Sequence, residues 1–275
     1  MPRRALAGLL SLGSLLVTSL PVRGDVTLRG TITPEAKPRL TFTLYQSGSL
    51  ARLDRSDGLS LLFDEKRREL THLDPANRTY STQSWSKLED ISSRMGELPA
   101  NVPAQIRLQT TIFARLQREK RENSTTEPIK TTLEGVLRLE PQLPGGGGFP
   151  GGGMKVPQLL ASGTITLSPS RSTTETALFA PLVYLALGEL GMPFLRSLVS
   201  QVDRARAGYP LKTDIQLAFQ GSNLPQGDFP PPTRLSLEVT AREDAAVEAT
   251  RFTIPSDWIK VPMPLKPFKE EIGHQ

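Results

Sequence analysis

The 275-residue chain contains no cysteine and only two histidines, His72 and His274. The first absence excludes disulfides, thiol catalysis, iron–sulfur clusters and cysteine-ligated zinc, as well as a lipid-modified N-terminal cysteine. The second leaves no histidine-rich metal site, and neither histidine accompanies a Gly-x-Ser-x-Gly nucleophile elbow. His72 reads as a hydrogen-bonded or solvated strand position. The carboxylate pairs Asp64/Glu65 and Glu243/Asp244 fall at turns, where solvation accounts for them better than paired acid–base work. The expectation is a protein that is not an enzyme and carries no cofactor or metal. With 37% hydrophobic and 22% charged residues, the chain has enough apolar material for a core of ordinary size.

Residues 1–24 divide into Arg3 and Arg4, an apolar run from Leu6 to Leu20, and a break at Pro21-Val22-Arg23-Gly24. This is the layout of a secretory signal peptide. The run of about 15 residues is short of the roughly 20 needed to span a bilayer, so no transmembrane anchor is expected after cleavage. Removing Arg3, Arg4 and Arg23 leaves 30 basic against 28 acidic residues, and the formal charge falls from +5 to +2. The remaining charges are interleaved, as in Arg118-Glu119-Lys120-Arg121, which argues against a nucleic-acid partner.

From Asp25 onward the apolar residues recur every second position. Val26, Leu28 and Ile32 form one side of a strand, and Phe42 and Leu44 repeat the pattern. Leu61 and Phe63 follow the hairpin signal Asp57-Gly58, and further strands are expected at 69–73 and from Arg78. The period then lengthens. Trp85, Leu88, Ile91 and Met95 predict a helix, with Ser86 and Glu89 as a capping box. A second helix is predicted over 104–120, with Ile106, Thr110, Phe113 and Leu116 or Gln117 inward. Strands are expected at 129–139 and 159–167, joined by a glycine-rich loop at 141–153 that reads as a flexible connector. Two helices, 181–190 and 193–207, follow, each with proline in its first turn and Gly208 as the stop. The first is apolar nearly all round, so it is either buried or faces an apolar guest. Strands at 211–219, 235–239 and 246–254 complete the domain, a rigid proline loop separates the first two, and the tail from 262 reads as mobile.

The stretch Leu44-Tyr45-Gln46-Ser47-Gly48 through Arg52, with Leu62-Phe63-Asp64, Leu73-Asp74-Pro75 and Arg78-Thr79-Tyr80, resembles a pattern in LolA-like bacterial envelope proteins. These form a branch of unknown function within the lipoprotein-carrier superfamily. The finish Arg251-Phe252-Thr253-Ile254-Pro255 with Trp258 resembles their closing strand. The likeness spans 25–80 and 211–261, while the centre departs from it in the length of its glycine loop and apolar helices. The resemblance implies an α+β fold: a strongly curved antiparallel sheet, a half-open β-barrel, with helices over the concave face. It also implies a location in the bacterial periplasm. It transfers no binding residue, because no motif matches residue by residue.

These readings give one LolA-like domain over 25–261. Two functions stay open. In the first, the concave face binds a hydrophobic ligand, lipid or lipoprotein acyl chains, through Phe42, Leu44, Leu61, Phe63, Leu182, Leu185, Leu217 and Phe219. In the second, helices fill that face completely and the protein is an envelope interaction or sensor module for a protein partner, with no small-molecule ligand. A cavity of several hundred Å³ favours the first and a filled interior the second.

Overall fold

The computed structural model describes residues 24–35, 37–90, 107–118, 127–142, 158–169, 177–204, 207–220 and 233–262. The predicted signal peptide up to residue 23, and the predicted glycine loop beyond Gln142, proline loop at 225–232 and tail from 263, lie outside these residues. The predicted continuation of the first helix to Met95 does as well.

Twelve strands form one sheet: β1 (Val26–Pro34), β2 (Leu40–Ser47), β3 (Leu50–Arg55), β4 (Ser60–Asp64), β5 (Glu69–Asp74), β6 (Thr79–Ser84), β7 (Arg107–Arg118), β8 (Ile129–Gln142), β9 (Gln158–Pro169), β10 (Ala207–Gln220), β11 (Thr233–Glu243) and β12 (Ile259–Lys260). Their order is β12-β6-β5-β4-β3-β2-β1-β11-β10-β9-β8-β7. Two antiparallel meanders, β1–β6 and β7–β11, are joined by β1 against β11, with Ile32 opposite Leu237. The final pair, β12 with β6, is parallel, so the sheet is mixed. Its end strands do not pair with each other, and the sheet is unclosed.

Turn chemistry sets the first meander. Gly48 and Gly58 supply positive φ at the β2–β3 and β3–β4 turns. After β5, the Asp74 carboxylate accepts from the Asn77 backbone N–H at 3.1 Å and from its side-chain amide at 2.7 Å. These bonds favour the charged form and lower the Asp74 pKa. Alternation then sends one set of side chains inward. Leu28, Leu44, Leu53 and Leu61 occupy adjacent positions across four strands, and all are fully buried.

Among the described residues three helices accompany the sheet: α1 (Trp85–Glu89), α2 (Phe179–Leu187) and α3 (Met192–Arg204), with a 3-10 turn, Gly188–Gly191, between the last two. α2 reports the curvature. Val183 borders a small cavity beside Ile165 of β9, while the next residue, Tyr184, shares a hydrogen bond with His72 of β5. Seven ladder steps separate β5 from β9, about 34 Å in a flat sheet. An α-helix with side chains is only about 10–12 Å across. The sheet therefore bends around α2.

Several expectations are corrected. Residues 107–118 are strand β7, not a helix. The β-branched run Thr110-Thr111-Ile112 leads a twelve-residue antiparallel ladder with β8, which outweighs the i, i+3 spacing. Strand parity buries Ala114 and turns Phe113 outward, where it is 51% exposed. Residues 246–254 form no strand. Val247 N–H is accepted by the Asp25 carboxylate at 3.0 Å, and a 3-10 turn, Ala249–Phe252, follows. With Phe252 the only buried residue there, the segment has no apolar face to ladder. It instead lies on the outer side of β2 and β3, where Arg52 donates to the Arg251 carbonyl and Arg251 stacks over Tyr45. Gly208 is no helix stop but a buried residue of β10. Nor does the capping box form: Ser84 is the N-cap of α1, without a side-chain cap bond.

Gly163 is the tightest point of the second meander. A Cβ there meets the Asp214 carbonyl oxygen at 2.0 Å, whereas one at Gly48 meets nothing within 4 Å. Gly163→Ala is expected to lower stability by about 3 kcal/mol or more in urea unfolding. Gly48→Ala should cost only about 1 kcal/mol, for its left-handed backbone. Equal losses would contradict this packing.

Candidate functional site: the apolar trough and its helices

The inner face of the curved sheet is the candidate site. β4 supplies Leu61 and Phe63, opposite His72 and Leu70 of β5. On the other arm, Leu133, Ile165 and Ile215 face inward from β8, β9 and β10. A bed of small residues, Ala114, Gly135 and Ala161, lies side by side on β7, β8 and β9. It admits the Phe194 ring of α3: a Cβ on Gly135 would sit 3.3 Å from that ring. Glycine at this point lets the helix approach.

α2 fills the middle of the trough. All nine residues are buried, and the helix has no polar face. At nine residues it is about 13.5 Å long. No helix among the described residues is long and apolar enough to cross a membrane. Its one hydroxyl, on Tyr184, lies 3.1 Å from His72 Nε2, and the Tyr184 ring packs edge-on against Phe63, centroids 5.8 Å apart. His72 is thus a hydrogen-bonded strand position, as its sequence context predicts.

α3 is amphipathic and fastens along the end strand β7. The Gln201 amide donates from Nε2 to the Ala114 carbonyl at 2.8 Å, and its Oε1 accepts from Leu116 N–H at 2.8 Å. Ser197 donates to the same carbonyl at 3.1 Å. One side chain therefore supplies the donor and the acceptor that a neighbouring strand would offer. α3 also packs against α1. There Glu89 pairs with Arg68 at 3.2 Å. Burial raises the Glu89 pKa above the ordinary glutamate value, opposed by the charges of Arg68 and Arg196.

The structure brings the eight sequence-predicted residues into one region. Phe42, Leu44, Leu61, Phe63, Leu182 and Leu185 are buried in a single core cluster, with Leu217 and Phe219 packed at its margin. The best-defined cavity among the described residues is about 10 Å³, lined by Leu133, Ile165, Leu182, Val183, Ile215 and their neighbours. That is room for about one water molecule. Sequence reasoning missed the Tyr184–His72 bond and the Gln201 clamp. The Ser197/Gln201 spacing marks one helix stripe, but nothing local reveals the strand it grips.

No protein-family model matches the chain, and no curated protein matches it. Among solved structures it is similar to a LolA superfamily protein from Nitrosomonas europaea. The alignment covers 84% of this chain and 91% of that one, with 12% identity and a TM-score of 0.29. The architecture described above rests on strand order and helix contacts.

Two measurements probe this arrangement. Gln201→Leu strands Leu116 N–H without its acceptor and should cost about 1–3 kcal/mol in urea unfolding. It should also add a self-associated species in size-exclusion chromatography as the β7 edge opens; an unchanged monomer of wild-type stability contradicts the clamp. For Glu89, the raised folded pKa means the protonated form is favoured in the folded state. That contribution to stability is complete at acid pH and is lost as pH rises through the folded value. Glu89→Gln retains it, so the variant should be more stable than wild type at pH 7, by a few tenths of a kcal/mol. The gap should close near pH 4, and a less stable variant at pH 7 would mean that the Arg68 pair outweighs burial.

Proposed function

We propose that the protein is an exported, non-catalytic binder of hydrophobic ligands, lipid or lipoprotein acyl chains, in the bacterial periplasm. The sheet acts as a half-barrel and α2 and α3 as its roof. α2 occupies the trough in the absence of a guest and yields it when one enters. The observation that carries this reading is α2 itself: a nine-residue helix with no polar face, enclosed by a curved apolar sheet. It is chemically equivalent to the guest it would exchange with.

Magnitudes favour exchange over insertion, because a 10 Å³ cavity admits no chain. Exposing Phe179, Leu182, Val183, Leu185 and Leu187 costs roughly 8–15 kcal/mol, while burying a twelve-carbon chain returns about 10 kcal/mol and an eight-carbon chain about 6. Long or paired acyl chains can therefore offset the displacement of α2, and short ones cannot.

The complete burial of α2 also favours a second reading. A dry core of this kind is what an envelope interaction module with a protein partner requires, and that module needs no ligand.

Native mass spectrometry of protein purified from the envelope is expected to show co-bound lipid. A fluorescent sixteen-carbon acyl probe should bind at least tenfold more tightly than its eight-carbon analogue. A ligand-free spectrum with no uptake of either probe contradicts ligand binding. Crosslinking in cells that returns one specific protein and no lipid would then establish the interaction module.

A further inference from the structure

Among the described residues, the side-chain oxygen Oε1 of Gln83 and the indole Nε1–H of Trp85 are buried without a hydrogen-bond partner. Both residues are more than nine-tenths buried. Each such atom costs free energy comparable to a lost hydrogen bond. Gln83 is opposite the fully buried Leu70, which is opposite Phe63, so it lies in the inward row of the sheet. Trp85 follows two residues later at the start of α1 and belongs to the same core cluster. Residues two apart along a strand share a face and sit about 7 Å apart. Phe63, two ladder steps from Gln83, is the residue against which the Tyr184 ring of α2 packs. Gln83 thus lies in the inward row beside β5, whose His72 bonds Tyr184 of α2, and two ladder steps, about 10 Å, from Phe63.

We infer that the corner formed by β6 and α1 is a polar-head subsite, in which Trp85 Nε1–H donates to, and Gln83 Oε1 accepts from, the uncharged hydroxyl-bearing end of an amphiphile whose chain lies in the trough. This rests on the trough reading above. The chemistry follows from the two atoms. An indole N–H only donates and the Gln83 oxygen only accepts, so the guest must offer an acceptor and a donor together. A hydroxyl beside an ester carbonyl does so. The cation stacked on Trp85 is already balanced: Arg68 lies 5.4 Å over the ring and pairs with Glu89 at 3.2 Å. A neutral head suits this corner better than an anionic one, which would have to compete with Glu89 for Arg68.

The test compares 1-lauroylglycerol with methyl laurate, which has the same chain and carbonyl but no hydroxyl, in displacing a fluorescent acyl probe from the full-length mature protein. Wild type is expected to prefer the glycerol ester. That preference should fall about tenfold in Gln83→Met and in Trp85→Phe, measured separately. Unfolding of the lipid-free protein gives the second readout. Gln83→Met removes an acceptor that has no partner, so its urea midpoint should rise. A preference unchanged in both variants, or a lowered midpoint in Gln83→Met because bound water already satisfies the oxygen, overturns the subsite and leaves the trough reading standing. Failure of wild type to bind the probe at all overturns both.

Discussion

The whole architecture turns on the burial of one short helix. α2 has no polar face, so exposing either side of it is costly while the trough holds nothing else, and a flat sheet can bury only one side. The twelve-stranded sheet solves this by bending until β5 and β9 meet neighbouring residues of the same helix. Curvature, the location of the core and the candidate site all follow from this one requirement.

The sequence supplies the devices that make the bend compatible with close packing. Small residues at Ala114, Gly135 and Ala161 lower the floor of the trough where the Phe194 ring descends. Gln201 fastens α3 to the backbone of the last strand and satisfies polar groups that an unpaired edge would leave open. At the opposite end α1 follows β6 directly and meets α3. The two ends of the open sheet are thus linked through helices rather than through strand pairing.

Much of this was legible in the sequence. Alternation at Val26–Ile32, Phe42–Leu44 and Leu61–Phe63, with Asp57-Gly58 between, marks strands because each step of two returns an apolar residue to the same face. Residues 104–120 misled because Ile106, Thr110, Phe113 and Leu116 satisfy a helical period while Ile112, Ala114 and Leu116 satisfy a strand period. Only the ladder with β8 decides between them. Residues 246–254 misled in the opposite direction, since alternation there lacks the apolar bulk to secure a face. The eight residues proposed for the ligand face were legible as core, but their side chains carry no record of whether the space between them is open. That depends on how completely α2 fills it. The orphaned atoms of Gln83 and Trp85 were invisible for a similar reason: a polar residue in a strand is ordinary until its surroundings are known.

The proposed ligand binding requires α2 to be a displaceable occupant of the trough, and the cysteine-free chain offers a clean way to observe it. A single thiol introduced by Leu185→Cys can be followed by its rate of maleimide labelling, with and without a saturating long-chain phospholipid in mixed micelles. Slow labelling of the free protein and a rise of at least tenfold with lipid is the predicted result. Fast labelling without lipid, or a thiol that stays protected when lipid is bound, would contradict it.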